Sequence, residues 1–347
     1  MIRAKPYLSQ LGYFALLSVL FQPFFFFIFR LMAFNTVPRD DYAPYLLWLL
    51  HQPGGAFPGS PYGYRILSVL VAAPLYYLMP MLPLTNLPAD LTPAYLKATT
   101  ALAAVSYLAM VAAAMMAYRL VVARHARPPL EGFLAAAFII LCEFYASFYG
   151  IDPLAFLLAV CALYAIDRIW IFAAIMIASV LFNEKILILF AGWLALRLVF
   201  SADGRAFFGA RLIAVGVAVA AYVALLAIVH LEGHSEQLDV NVYGPTFLQN
   251  IVATVTTARG FILNVLPCVL LAGVVWWSWR TLDRDRCGIY APLDLLVVPA
   301  LIAIALVLTQ FFQVGRVVMH AAPLFVLPVA QALGLWVRRG RCEGVQS

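Results

Sequence analysis

The chain is a succession of apolar runs, many of them close to the length a helix needs to cross a bilayer's hydrocarbon core, about 20 residues. Eleven can be marked, at roughly 11–33, 65–82, 95–122, 130–149, 152–167, 169–182, 186–200, 212–230, 259–280, 291–311 and 317–337. Short polar breaks separate the compact fourth to seventh runs, and no linker, internal repeat or low-complexity tract interrupts the series. Backbone groups in lipid must pair internally, so only helices and closed barrels can span, and runs of this length are helical. Composition agrees. Of 347 residues, 65% are hydrophobic and 11% charged, a balance no soluble domain can hide. The expectation is an all-α polytopic membrane protein, with residues 1–347 forming a single integral membrane domain.

The net charge of +6 is small for the length and belongs to membrane orientation. A nucleic-acid partner would want a basic surface interleaved with aromatics, which the loops do not supply. Five cysteines, Cys142, Cys161, Cys268, Cys287 and Cys342, show no C-x-x-C spacing and read as small apolar fillers. The run 11–33 is too long for a signal-peptide core and lacks a small-residue cleavage site, so it reads as a retained span. Arginine outnumbers lysine, 19 to 3, a bias that suits a bacterium with GC-rich DNA.

Lysine and arginine gather on the cytoplasmic side of membrane proteins. The clusters Arg124/Arg127, Arg205/Arg211, Arg280/Arg284/Arg286 and Arg338/Arg339/Arg341 are therefore assigned inside, with the N-terminal Arg3 and Lys5. Three segments between the N-terminus and Arg124 would put these basic ends on opposite sides. The run 65–82, with Pro74, Pro80, Tyr76 and Tyr77, is the one best suited to lie along the outer leaflet instead. About ten spans follow, with both termini inside. The first outer loop is 34–94, carrying interfacial helices 42–50 and 65–82, and a longer late outer loop is 231–258. Eleven spans with an external N-terminus is the alternative.

This topology collects the costly polar residues on the outer side. Asp40, Asp41 and Arg65 lie in the first outer loop, Asp152 in "FYGIDPLAF", Asn183, Glu184 and Lys185 in "SVLFNEKILIL", and Arg316 and His320 in "FFQVGRVVMHAAP". Ionisable groups at membrane depth are expensive unless paired or hydrated, so a ring of them suggests a water-filled cavity. Each also has a plainer role. Asp41 could cap helix 42–50, and Asp152 before Pro153 is a strong helix start. Glu184 and Lys185 could pair locally, and Arg65 and Arg316 could anchor helices at the interface.

These residues carry a likeness. The chain resembles the GT-C-fold glycosyltransferases, polytopic enzymes that use a polyprenyl-phosphate sugar on the extracytoplasmic face, in the style of the bacterial aminoarabinose and protein mannosyltransferase-like branches. "RDDYAPYL" after the first span, followed by two interfacial helices, is similar to that family's first outer loop. "GIDPLAF" is similar to its threonine-aspartate-x-proline-leucine turn, with Ile151 in place of threonine. "LFNEKILILF" is similar to a later lysine-bearing turn, without the family's following glycine. The likeness covers residues 10–200.

The resemblance implies an enzyme of the bacterial inner membrane. A carboxylate takes the acceptor's proton while the hydroxyl attacks the anomeric carbon, and cations stabilise the departing phosphate. The base falls to Asp41, with Asp40 the alternative. Arg65, Lys185 and Arg316 fall to the donor phosphate. Asp152, Glu184 and His320 would orient the acceptor or a metal, and Asp41 with Asp152 would hold a divalent ion, Mg or Mn, if one is used. Partners would be the polyprenyl-phosphate-linked sugar, membrane lipid and an acceptor the sequence does not identify. A lipid-linked glycan flippase or transporter, which would want polar residues spread along the spans where Glu143 is the main one, and a polysaccharide polymerase are the other readings. No P-loop, H-E-x-x-H helix or G-x-S-x-G elbow is present.

Overall fold

The computed structural model describes residues 42–57, 65–79, 92–146, 152–183, 185–200, 205–231, 261–282 and 314–343, with scattered positions in 12–19 and 252–258. Among the described residues the chain is all-helical, without a strand. Helix α1 is Tyr42–Leu49, α2 Ile66–Leu70, α3 Ala73–Leu78, α4 Pro93–Arg119, α5 Pro129–Ala146 and α6 Asp152–Tyr164. Then follow α7 Ile169–Phe182, α8 Lys185–Phe200, α9 Arg205–Leu231, α10 Leu266–Thr281, α11 Val314–Met319 and α12 Ala322–Glu343. Single π turns, Leu120–Arg124 and Phe261–Val265, extend α4 at its end and α10 at its start.

Two of these helices are long and apolar enough to cross a membrane, Pro93–Arg124 and Arg205–Leu225. The expected runs 152–167, 169–182 and 317–337 are helical but give shorter apolar helices. The run 291–311 and most of 11–33 lie outside the described residues.

Prolines set several boundaries. Pro93 opens α4 while the Thr92 hydroxyl accepts from the Tyr95 amide at 3.2 Å, an N-cap in its usual geometry. The run 65–82, expected as one interfacial helix, is two short ones. Pro74 has no N–H for the Leu70 carbonyl and its ring crowds that turn, so the chain turns at Val71 and Ala72 and restarts with proline in the new helix's first turn. At 317–337 the same device splits α11 from α12 at His320 and Ala321, with Pro323 in the first turn of α12.

Helix α6 is the axis of the main core. Phe156, Ala159, Val160, Ala162 and Leu163 are buried among Trp193 and Phe190 of α8, Phe172 and Met176 of α7, and Leu324, Phe325 and Ala330 of α12. A second cluster joins α1 (Tyr45, Leu46, Leu47), α2 (Val69) and α4 (Ala98, Ala101, Leu102), and reaches α6 through Leu154. The α4–α5 hairpin closes tightly at Gly132, where a β-carbon would stand 2.7 Å from the Tyr118 ring. Alanine at 98, 101, 113, 114 and 117 lets the neighbours of α4 approach closely.

One end of this bundle is rich in arginine. Arg124 donates to the Leu163 and Tyr164 carbonyls and pairs with Asp167 at 2.8 Å. Arg211 donates to the carbonyls of Ile166 at 2.9 Å and Asp167 at 3.1 Å. The Leu163 and Tyr164 carbonyls lie in the last turn of α6 and those of Ile166 and Asp167 in the turn that follows, so the two guanidiniums satisfy carbonyls at and just beyond the helix end and oppose the negative end of its dipole. At the same end Arg338 meets the buried Glu131 at 2.8 Å, and Gln331, with its amide oxygen turned to Arg127, accepts from Nε at 2.8 Å and Nη2 at 2.7 Å.

Candidate functional site

The opposite end of α6 begins with Asp152, which is 1% exposed. Its Oδ1 receives a hydrogen bond from Asn183 Nδ2 at 3.2 Å. Lys185 Nζ and His320 Nε2 each stand 3.5 Å from the same oxygen. Four residues from three distant parts of the sequence thus meet around one carboxylate oxygen.

Local structure fixes each of them. Asp152 is the first residue of α6, with Pro153 directly after it in the first turn. Asn183 leaves α7 in an extended conformation, φ −167° and ψ 112°. Its side-chain oxygen accepts from the Lys185 amide at 3.2 Å, starting α8, while its amide nitrogen reaches Asp152. Lys185, the first residue of α8, is thereby directed to the same carboxylate. His320 sits in the turn between α11 and α12, its ring tilted against Phe156 at 5.2 Å. Phe156 is one helical turn beyond Asp152, so α6 supplies both the charge and the wall for the imidazole.

The first loop approaches this cluster. Ser68 of α2 donates to the carbonyl of Phe182, the residue before Asn183. One turn earlier Arg65, buried at the start of α2, donates through Nη1 to the Tyr42 hydroxyl at 3.0 Å. Tyr42 directly follows the aspartate pair in sequence. Lys97, in the first turn of α4, lies over the Tyr76 ring at 4.8 Å from its centroid.

Of the residues read from the sequence, Asp152, Lys185 and His320 come together, and Arg65 is tied through α2 to the neighbouring turn. Asp40, Asp41 and Glu184 lie outside the described residues, as does the side chain of Arg316, whose backbone is in α11 four residues before His320. Asn183, which the sequence placed at the outer turn without a role, is the direct amide partner of Asp152. Ser68 and Tyr42 gave no signal, being single hydroxyls in apolar surroundings.

The Asp152 oxygen faces an amide N–H₂, an ammonium and an imidazole nitrogen, and a metal there would have to displace Lys185. No group of three His, Cys, Asp or Glu side chains that could hold a metal occurs among the described residues. The N-termini of α6, α8 and α12 all start at this end, and each brings the positive end of its dipole. No family model, curated protein or solved structure matches the chain.

Proposed function

We propose that the chain is a polytopic membrane glycosyltransferase of the GT-C type, moving a sugar from a polyprenyl-phosphate donor to an acceptor on the extracytoplasmic face of a bacterial inner membrane. The observation that carries this reading is the cluster of Asp152, Asn183, Lys185 and His320 at the end of the bundle remote from the arginines.

The membrane part rests on three features. Helices α4 and α9 have span length, and α9 exposes Ile213, Val217 and Val223 along its length, as a lipid-facing helix does. Exposed Trp170, Trp276 and Trp336 lie near Arg168, Arg280 and Arg338 at the arginine-rich end, where interfacial aromatics and cytoplasmic basic residues belong together. Helices α6 and α7 have 13 and 14 residues, about 20 Å of length, against a hydrocarbon core of about 30 Å. With one end at the cytoplasmic surface, α6 therefore starts below the outer surface, and Asp152 sits at the floor of an outward-facing hollow. Ten spans with both termini inside remain the topology that fits the basic clusters.

In the reaction the acceptor hydroxyl attacks the anomeric carbon, its C–O bond forms as the bond to phosphate oxygen breaks, and polyprenyl phosphate leaves. Asp41, or Asp40, receives the hydroxyl proton. Lys185, Arg65 and Arg316 take the phosphate charge, and Asp152 positions Lys185 with help from Asn183 and His320. The buried carboxylate beside Lys185 holds the ammonium in place and can yield it to the departing phosphate. No step is assigned to a metal.

Incubation of the purified protein with a labelled polyprenyl-phosphate monosaccharide tests the reading. Label should leave the donor, and Asp41→Asn should abolish this at unchanged expression. Full transfer by Asp41→Asn removes the base assignment. Movement of intact donor across vesicles without consumption would favour the flippase, a reading for which the buried Glu143 is the supporting observation.

A further inference from the structure

We propose that Glu143 is a proton-binding site in the apolar interior of the bundle, carrying its proton at neutral pH. The side chain is 0% exposed, and neither carboxyl oxygen has a hydrogen-bond partner among the described residues. Its helix packs against α4, α6, α11 and α12. One turn earlier, Ile140 belongs to the cluster with Met110, Val111 and Ala114 of α4, and Ile139 to the main core. Glu143 shares their faces and so lies over the seam between the two apolar clusters.

The contrast within α5 is informative. Glu131 is also buried, but it meets Arg338 at 2.8 Å, and Gly334 gives it room. The two glutamates stand twelve positions apart, about 18 Å along the helix. An ionised carboxylate without a partner in such surroundings is far too costly to persist, whereas the neutral acid loses only its hydrogen bonds with water. A leucine would fill the space at lower cost, so an acid there points to use of the proton. The site takes a proton and no other ligand: one carboxyl group with no further oxygen or nitrogen partner cannot complete the shell of a sodium ion. This inference stands apart from the glycosyl-transfer reading and survives its failure.

An apolar carbodiimide tests it. Such a reagent reacts only with the acid form, whose proton moves to a carbodiimide nitrogen as the carboxyl oxygen bonds to the central carbon, before rearrangement to a stable acylurea. The full-length protein in lipid vesicles should be labelled at Glu143, located by peptide mass spectrometry, at the same rate at pH 5 and pH 7. An ordinary glutamate, with a pKa near 4.3, loses about a hundredfold of its acid form over that interval. Glu143→Gln should remove the label from the peptide. If that variant does not fold, the pH profile of the wild-type peptide decides alone. A drop of about a hundredfold between the two pH values, equal labelling by a water-soluble carbodiimide, or protection by sodium but not choline would each overturn the proposal.

Discussion

Lys185 Nζ stands 3.5 Å from Oδ1 of Asp152, across 33 positions of sequence, with Asn183 bonded to both the carboxylate and the lysine's own amide. A carboxylate that is 1% exposed and a lysine largely withdrawn from water depend on each other. Asp152→Ala removes the carboxylate beside the ammonium and should cost about 3 kcal/mol of stability. Lys185→Met in the same background should recover a large part of it. Thermal unfolding in detergent of the two single variants and the double measures the coupling, and strict additivity would show that the pair does not interact.

Of the cations assigned to the donor phosphate, Arg65 too has a described partner, the hydroxyl of Tyr42. Tyr42→Phe keeps the ring's packing in the α1–α2–α4 cluster and removes only that acceptor. Loss of a hydrogen bond to a charged group costs about 1.5–3 kcal/mol. If Arg65 grips the donor phosphate, the variant should raise KM for the polyprenyl-phosphate sugar while kcat changes less. An unchanged KM would confine Tyr42 to a packing role.

At the arginine-rich end, Gly334 faces Glu131 so closely that a β-carbon would stand 2.6 Å from Cγ. Gly334→Ala should destabilise by about 1–3 kcal/mol, as overpacking does. Trimming the opposite side with Glu131→Ala should relieve the clash but release Arg338, so the double variant should not return to wild-type stability. Equal Tm values for Gly334→Ala and the wild type would contradict the close approach.

His125 lies just beyond the end of α4, between Arg124 and Ala126. Burial first, then the guanidiniums of Arg124 and Arg127, hold its pKa below the ordinary 6.5, against an opposite pull from Asp167. The folded form therefore binds its proton less readily than the unfolded chain. Below about pH 6.5 the unfolded state gains protons first, so stability falls as pH drops and is complete above that value. Comparing unfolding at pH 7.5 and 5.5 for the wild type and His125→Gln should show a smaller acid loss in the variant. Parallel losses would assign the effect to other groups.

The helices were legible where an apolar run ended at a polar break. The run 169–182 is the helix Ile169–Phe182, and 186–200 starts one residue earlier at Lys185. Proline effects were only half legible. In the sequence Pro74 and Pro80 read only as making 65–82 unsuited to crossing, and the split into two helices at Pro74 was missed, because proline breaks one helix and starts another equally well. At the other boundary, α9 begins at Arg205, seven residues before the apolar run, since Arg205 and Arg211 interrupt the apolar pattern while the buried Phe208 and the carbonyl bonds of Arg211 hold the segment helical. For the site, the expectation that Asp152, Lys185 and His320 share one side was the useful signal, and they meet at one end of the bundle, as charge in an apolar chain must find company. The exchange of bonds through Asn183, and the Ser68 link to Phe182, depend on contacts between helices distant in sequence and leave no mark along it.

The most direct test is an experimental structure of the protein in lipid with polyprenyl phosphate bound. The account predicts phosphate density within hydrogen-bond reach of Lys185 Nζ, at the Asp152 end of α6, with the tail leaving sideways into lipid. Density instead among Arg124, Arg211 and Arg338, at the other end of the same helix, would contradict it.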